Sequence, residues 1–318
     1  MEDANILQVL EPLTTPLVLL GLVSLVRLTY LLVTKVVEGV TSYLLPLVLG
    51  PGDLVEQYGA WGLVTGSTGG IGREYALGLA SKGLNVVLVG RNRDKLQLVE
   101  RELVGRFGVA TMIVEADFTQ GEEVVEGILR QLKEAEVEIG LLVNNVGMSV
   151  GMRPFCEVPR QEVVDLISVN ITAATMLSHG LLPAMVTRGR GAVINIGSTS
   201  GLIRGPYMAA YTASKHYIHA FTEALATEYQ PSGITVQEIT PNIVETGMTE
   251  MFSEHRGSWM MPSAELFVLW SLRSLGWTRH TCGYWVHSLA LPVMVNMPLW
   301  MAVAMFKDNY EKKWKKKQ

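Results

Sequence analysis

Tyr211-Thr212-Ala213-Ser214-Lys215 sets a phenol and an ammonium four residues apart, one turn from each other on the same face of a helix. A lysine so placed favours the phenolate and draws a pKa near 10 toward working pH, as a general acid or base requires. The spacing is common by chance, so it gains meaning only from its company. Ser198 stands thirteen residues before Tyr211, at the end of the apolar run AVINIGS. In a doubly wound sheet such strand ends face the ligand crevice.

Upstream, Thr65-Gly66-Ser67-Thr68-Gly69-Gly70-Ile71-Gly72 follows one apolar run and leads into the helical pattern REYALGLASKG. Gly66, Gly70 and Gly72 permit a tight turn and let the backbone, with Ser67, Thr68 and Ile71, approach a pyrophosphate seated on the helix N-terminus. After the next run, where an acidic residue would hold the ribose 2′-hydroxyl of NAD, the chain has Gly90-Arg91-Asn92-Arg93. Arg91 can meet a 2′-phosphate in fork geometry, which makes NADP(H) the expected cofactor; the alternative for Arg91 and Arg93 is a solvated corner.

The elements that must position these groups are six short runs, GLVTGS, NVVLVG, TMIVEAD, GLLVNNVG, AVINIGS and TVQEITP, separated by amphipathic helical segments. They predict an α/β fold: a Rossmann-type doubly wound parallel sheet with helices on both faces.

In order and spacing, TGSTGGIG, Asp117, NNVG (144–147), Asn170, Ser198 and YTASK resemble the short-chain dehydrogenase/reductases over about Tyr58 to Pro241. The resemblance implies that Tyr211 protonates a carbonyl oxygen as hydride arrives from the nicotinamide and that Ser198 orients that oxygen. It implies that Lys215 binds the nicotinamide ribose and lowers the tyrosine pKa, and that Asn170 helps hold a proton-relay water. Asp117 would meet the adenine amino group, Asn144 and Gly147 would shape the cofactor floor, and Thr246 would meet the carboxamide. Asp117, Asn170 and Ser198 also suit caps, and Asn144 and Asn145 suit turns. The chain departs from the family at Pro241-Asn242, where proline-glycine is usual; asparagine tolerates positive φ, so the turn is expected to survive.

Within the family, YGAWGLVTGSTGGIG, VGRNRDKLQ, EADF, EIGLLVNNVGMS and TCGYWVHSL look most similar to the membrane-bound 17β-hydroxysteroid dehydrogenase and very-long-chain 3-oxoacyl-CoA reductase group. They also resemble a hydroxysteroid dehydrogenase-like branch described as inactive, in which the catalytic tyrosine is replaced. Tyr211 is present here, so the resemblance implies an active NADPH-dependent oxidoreductase on a lipid carbonyl, a 3-oxoacyl-CoA or ketosteroid. The alternative is a noncatalytic NADPH-binding membrane protein. Met248, Met251, Phe252, Trp259, Met260 and Met261 either wall the substrate or pack the domain against the C-terminal segment.

The ends point to a membrane, and the chain divides into an anchor region (1–50), a catalytic domain (51–279) and a C-terminal apolar segment with a basic tail (280–318). Residues 13–50 are strongly apolar but broken by Arg27, Lys35 and Glu38; Pro16 to Val37 suffices for one span if Arg27 finds a partner or water. The acidic start, Glu2 and Asp3, argues against a removable signal peptide. The alternative is an apolar helix packed on the protein itself. Between Arg279 and Lys307 no charged residue occurs, yet Pro292 and Pro298 argue against a straight span, so this segment is expected to lie in or re-enter the bilayer, with Trp300 and Trp314 at the interface. The final KKKQ resembles a dilysine retrieval signal, or is a solvated tail. The expected location is the endoplasmic reticulum membrane, catalytic domain facing the cytosol, with a homodimer left open.

A formal net charge of −4 and the lack of a basic stripe exclude nucleic acid as an expected partner. Cys156 and Cys282 are too few for a disulfide framework. His216 and His219, three apart, lack an HExxH context or a carboxylate partner, so no metal is expected.

Overall fold

The structure, a computed structural model, describes residues 2–203 and 205–314, with side chains for 14–312 apart from 204, 251 and 253. The KKKQ end and the side chains of Met251 and Trp314 lie outside the described residues.

Each apolar run forms a strand: β1 (Trp61–Thr65), β2 (Asn85–Gly90), β3 (Thr111–Glu115), β4 (Ile139–Asn144), β5 (Gly191–Ile196) and β6 (Ile234–Ile239). A seventh, β7 (His280–Thr281), was not foreseen. All pair in parallel, in the order β3-β2-β1-β4-β5-β6-β7. The order reverses between β1 and β4, which opens a crevice at their carboxyl ends. Because β7 continues the sheet and Cys282, Tyr284, Val286 and His287 are buried, the folded domain runs past the Arg279 boundary read from the sequence.

The helices are α1 (Glu2–Gly39), α2 (Leu45–Leu49), α3 (Leu54–Tyr58), α4 (Gly70–Ala80), α5 (Arg93–Phe107), α6 (Glu122–Glu134), α7 (Arg160–Ile167), α8 (Ala173–Arg188), α9 (Ala209–Tyr229), α10 (Ala264–Arg273), α11 (Trp285–Val295) and α12 (Leu299–Asn309). Strand side chains alternate between two apolar layers. Leu63, Val87, Leu142, Val193 and Val236 are register neighbours in one row and pack with α6, α8 and α9, while Val64, Leu88, Val143 and Ile194 pack with α4, α5 and α10. Nearer the carboxyl ends the first face carries a polar row, Asn144, Asn195, Glu238 and His280, each in register with the next.

Residues Thr14–Leu49 form 36 residues of helix, whose most apolar 18-residue stretch has mean hydropathy 2.2 and is wholly unburied. At 1.5 Å per residue this is roughly 54 Å, beyond the ~30 Å of a hydrocarbon core. The alternative of an apolar helix packed on the protein is thereby set aside. The helix docks on the domain at its end: Tyr43 Oη is 3.0 Å from Thr281 Oγ1 and 2.5 Å from Ser288 Oγ, and Trp277 Nε1 donates to Gly50 O at 3.0 Å. Arg160–Arg188 is also long and apolar enough to cross a membrane, but half of its apolar window is buried in the domain, where α8 packs on the sheet. The paired helices Trp285–Val295 and Leu299–Lys312 bend by 117° at the break before Leu299, as Pro298 predicts.

Candidate active site

β1 ends at Thr65, whose hydroxyl accepts from Asn145 N at 2.9 Å and Val146 N at 3.0 Å and donates to Val143 O at 3.2 Å. The turn that follows is thus locked onto the end of β4. Gly66 has φ 68°, and a Cβ on Gly72 would sit 2.3 Å from Gly66 O and 2.4 Å from Asn145 Nδ2. Only glycine suits either position. Buried Ser67 donates to Val89 O at 3.3 Å, and Thr68 lies against the end of β2, where a Cβ on Gly90 would meet its Cγ2 at 3.0 Å. The result presents the α4 N-terminus at the crevice, with Ile71 half-buried behind it and Arg91, exposed, just beyond β2. Thr246 packs against Gly70, where a Cβ would come within 3.0 Å. Asp117 caps the turn after β3, accepting from Thr119 N at 3.1 Å and Thr119 Oγ1 at 2.9 Å.

Beyond β5, Ser198 is buried, accepts from Ser200 N at 3.1 Å and stands beside the Tyr211 hydroxyl, whose ionised form it favours. Tyr211 and Lys215 lie one turn apart on α9, with the Lys215 nitrogen 6.0 Å from the Tyr211 ring centre. Buried Lys215 donates to Ile196 O at 2.8 Å, which fixes it under the end of β5. Asn170 sits in a π-helical turn, Ser168–Thr172, between α7 and α8. Such bulges recur at functional sites. Its Oδ1 accepts from Met148 N at 2.8 Å and its Nδ2 donates to Met148 O and Ser214 Oγ, both at 3.0 Å. A Cβ on Gly147 would lie 3.6 Å from Lys215 Nζ and 3.7 Å from Asn170 Oδ1, so that glycine joins the two halves.

Three expectations change. Burial holds Tyr211 above the ordinary phenol pKa, opposed by Ser198 alone, because Lys215 is itself desolvated and depressed to about 8. Burial thus works against the lowering expected of the YxxxK pair and favours the neutral phenol. Asn144 turns its side chain away from the crevice, donating to Asn195 Oδ1 at 2.8 Å and Ser178 Oγ at 3.1 Å. Its neighbour Asn145 takes the place at the turn, donating to Thr65 O at 2.8 Å. Asn242 is not among the positive-φ residues. Its turn is held by its own N–H donating to His287 Nδ1 at 3.3 Å and by Thr199 N donating to Pro241 O at 2.9 Å.

In the methionine-rich loop, Met248, Trp259 and Met260 are exposed, Phe252 is half-buried and Met261 is buried. His287 Nε2 lies 3.1 Å from Met260 O, which ties the loop to α11. Tyr207, at φ 68°, stacks on Tyr310 with ring centres 4.6 Å apart, which brings the C-terminal helices over the stretch before Tyr211. A cavity of about 670 Å³ lies elsewhere, between α2, α4 and α10, and none of these side chains lines it. Sequence reasoning also missed a cluster beside the site: His219 on α9, Glu238 on β6 and His280 on β7.

Residues 61–257 match the short chain dehydrogenase family. The chain is 42% identical over 253 residues to "Inactive hydroxysteroid dehydrogenase-like protein 1" of Pongo abelii, covering 79% of this chain and 76% of that protein. It is 37% identical over 256 residues to "Very-long-chain 3-oxoacyl-CoA reductase" of Bos taurus, covering 79% and 80%. A solved short-chain dehydrogenase from Sphingobium yanoikuyae in complex with NADPH superposes with a TM-score of 0.61 at 27% identity, over 79% of this chain and 94% of that one. With a parallel seven-stranded sheet, a glycine-rich turn at its switch point and a serine, tyrosine and lysine gathered at the end of β5, the chain belongs to the short-chain dehydrogenase family.

Proposed function

We propose that the chain is an NADPH-dependent carbonyl reductase acting on a lipid substrate at the endoplasmic reticulum membrane. The observation that carries this reading is the placing of Ser198 beside the Tyr211 hydroxyl, one helical turn from the buried ammonium of Lys215. The crevice fits a dinucleotide: the α4 N-terminus is bare of side chains at Gly69 and Gly70, and Gly72 leaves the backbone no cover. Gly66, Ser67, Thr68, Gly70, Ile71 and Gly72 would hold the pyrophosphate side and Arg91 the 2′-phosphate. Asp117, Asn145, Gly147, Lys215 and Thr246 would hold the rest. NADPH bound there supplies hydride to the carbonyl carbon. Tyr211, kept protonated by burial, gives its proton to the carbonyl oxygen, which Ser198 orients. Lys215 would hold the nicotinamide ribose one helical turn from the phenol, and Asn170 would order the path by which a proton returns.

The exposed helix Thr14–Leu49, the bent C-terminal helices and the exposed Met248, Trp259 and Met260 support a water-insoluble substrate and a membrane address, with the domain in the cytosol where NADPH is available. Measuring carbonyl-dependent NADPH oxidation over a panel of 3-oxoacyl-CoAs, 17-ketosteroids and retinal tests the reading. Turnover of at least one lipid carbonyl class is expected; NADPH binding with no turnover across the panel would contradict it. The second reading, a noncatalytic NADPH-binding membrane protein, is favoured by one observation: a 42% identical relative is named inactive. Tyr211, intact here, supports the first.

A further inference from the structure

Glu238 is fully buried, and among the described residues its Oε1 has no hydrogen-bond partner. A buried carboxylate with a bare oxygen is unstable unless a cation neutralises it. That oxygen points toward Gly197, where a Cβ would lie only 2.3 Å from it, so the carboxylate occupies the place a side chain would take. Its other oxygen lies 2.6 Å from His219 Nδ1 and 3.9 Å from His280 Nε2. All three donor atoms fall within 4.8 Å of one another, and both imidazoles are 29% exposed, which leaves an entry path. Ligands about 2.0–2.2 Å from a tetrahedral zinc ion stand roughly 3.3 Å apart, so small rotations suffice.

We propose that His219, Glu238 and His280 bind one divalent transition-metal ion of the zinc class, clamping α9 to β6 and β7 behind the active site. Two imidazoles and one carboxylate are a zinc ligand set that leaves a fourth position for water. On metal binding His280 Nε2 exchanges its contact with the Thr240 hydroxyl, 3.0 Å away, for the ion. The surrounding field is also suited. Glu223 acts on both histidines and Glu38 on His280, while the buried ammonium of Lys215 acts on Glu238 from a distance and donates to Ile196 O. The site is independent of whether the chain reduces a carbonyl.

The test uses the untagged full chain in detergent, stripped with a chelator, reloaded with zinc or cobalt and desalted. Wild type is expected to retain about one equivalent by elemental analysis, to show cobalt d–d absorption and to gain several degrees in Tm with zinc. Glu238→Gln, close in shape, and His280→Ala are expected to lose all three signals while still binding NADPH. Retention by wild type no greater than by these variants, or none at all, would overturn the proposal and leave the Glu238 carboxylate offset by His219 and Lys215.

Discussion

Lys215 shows how far burial competes with a charged group's task. Its pKa of about 8 in the folded chain lies below the ~10.4 of an unfolded lysine. Between these values the unfolded state binds the extra proton, so stability rises with pH across that window and is lowest where the ammonium is fully charged. Thermal denaturation from pH 7 to 10.5 should show this rise in wild type and not in Lys215→Met, which should be more stable at pH 7 by about 2–3 kcal/mol and nearly inactive. Arg91 has a simpler role: Arg91→Ala should raise the KM for NADPH about ten- to hundredfold and leave NADH unchanged, because one charge-assisted phosphate contact is lost. A preference for NADH that the substitution does not alter would remove Arg91 from the cofactor site.

At the scale of elements, the glycine-rich turn tolerates little. Gly72→Ala places a methyl against Gly66 O, a backbone atom that cannot move without shifting the turn. NADPH binding followed by fluorescence should weaken at least tenfold, with the fold kept by the layers beyond it. The six longer strands were readable in advance because each is a short, largely apolar run, buried nearly throughout except at the outer strand β3, and the helices between them keep their period. Other features were not readable, for physical reasons. β7 is two residues long, too short for any pattern. Adjacent residues at a strand end face opposite sides, so nothing in the string NNVG tells that Asn144 joins the polar row with Asn195 while Asn145 meets the glycine turn. The π-helical turn at Asn170 lies within an otherwise regular helical pattern. His219 meets Glu238 and His280 only because α9 lies across strands that come later in the chain, a tertiary fact that local spacing does not carry.

At the scale of the whole molecule, the anchor and the domain are joined rather than merely tethered. Ser42 and Pro46 are buried and Tyr43 reaches Thr281 and Ser288, so the docking lies C-terminal to most of the apolar helix. Deleting residues 1–38 should therefore leave NADPH binding intact while turning a carbonate-resistant membrane protein into one extracted by carbonate. Continued resistance would mean that α11 and α12 alone hold it in the bilayer. The most direct measurement compares wild type and Tyr211→Phe for oxidation of NADPH driven by the best carbonyl of the panel, with NADPH affinity measured in parallel. A fall in kcat of about 10²–10⁴ at unchanged NADPH affinity is expected for the loss of a general acid; equal rates in the two proteins would contradict the assignment of Tyr211 as the proton donor.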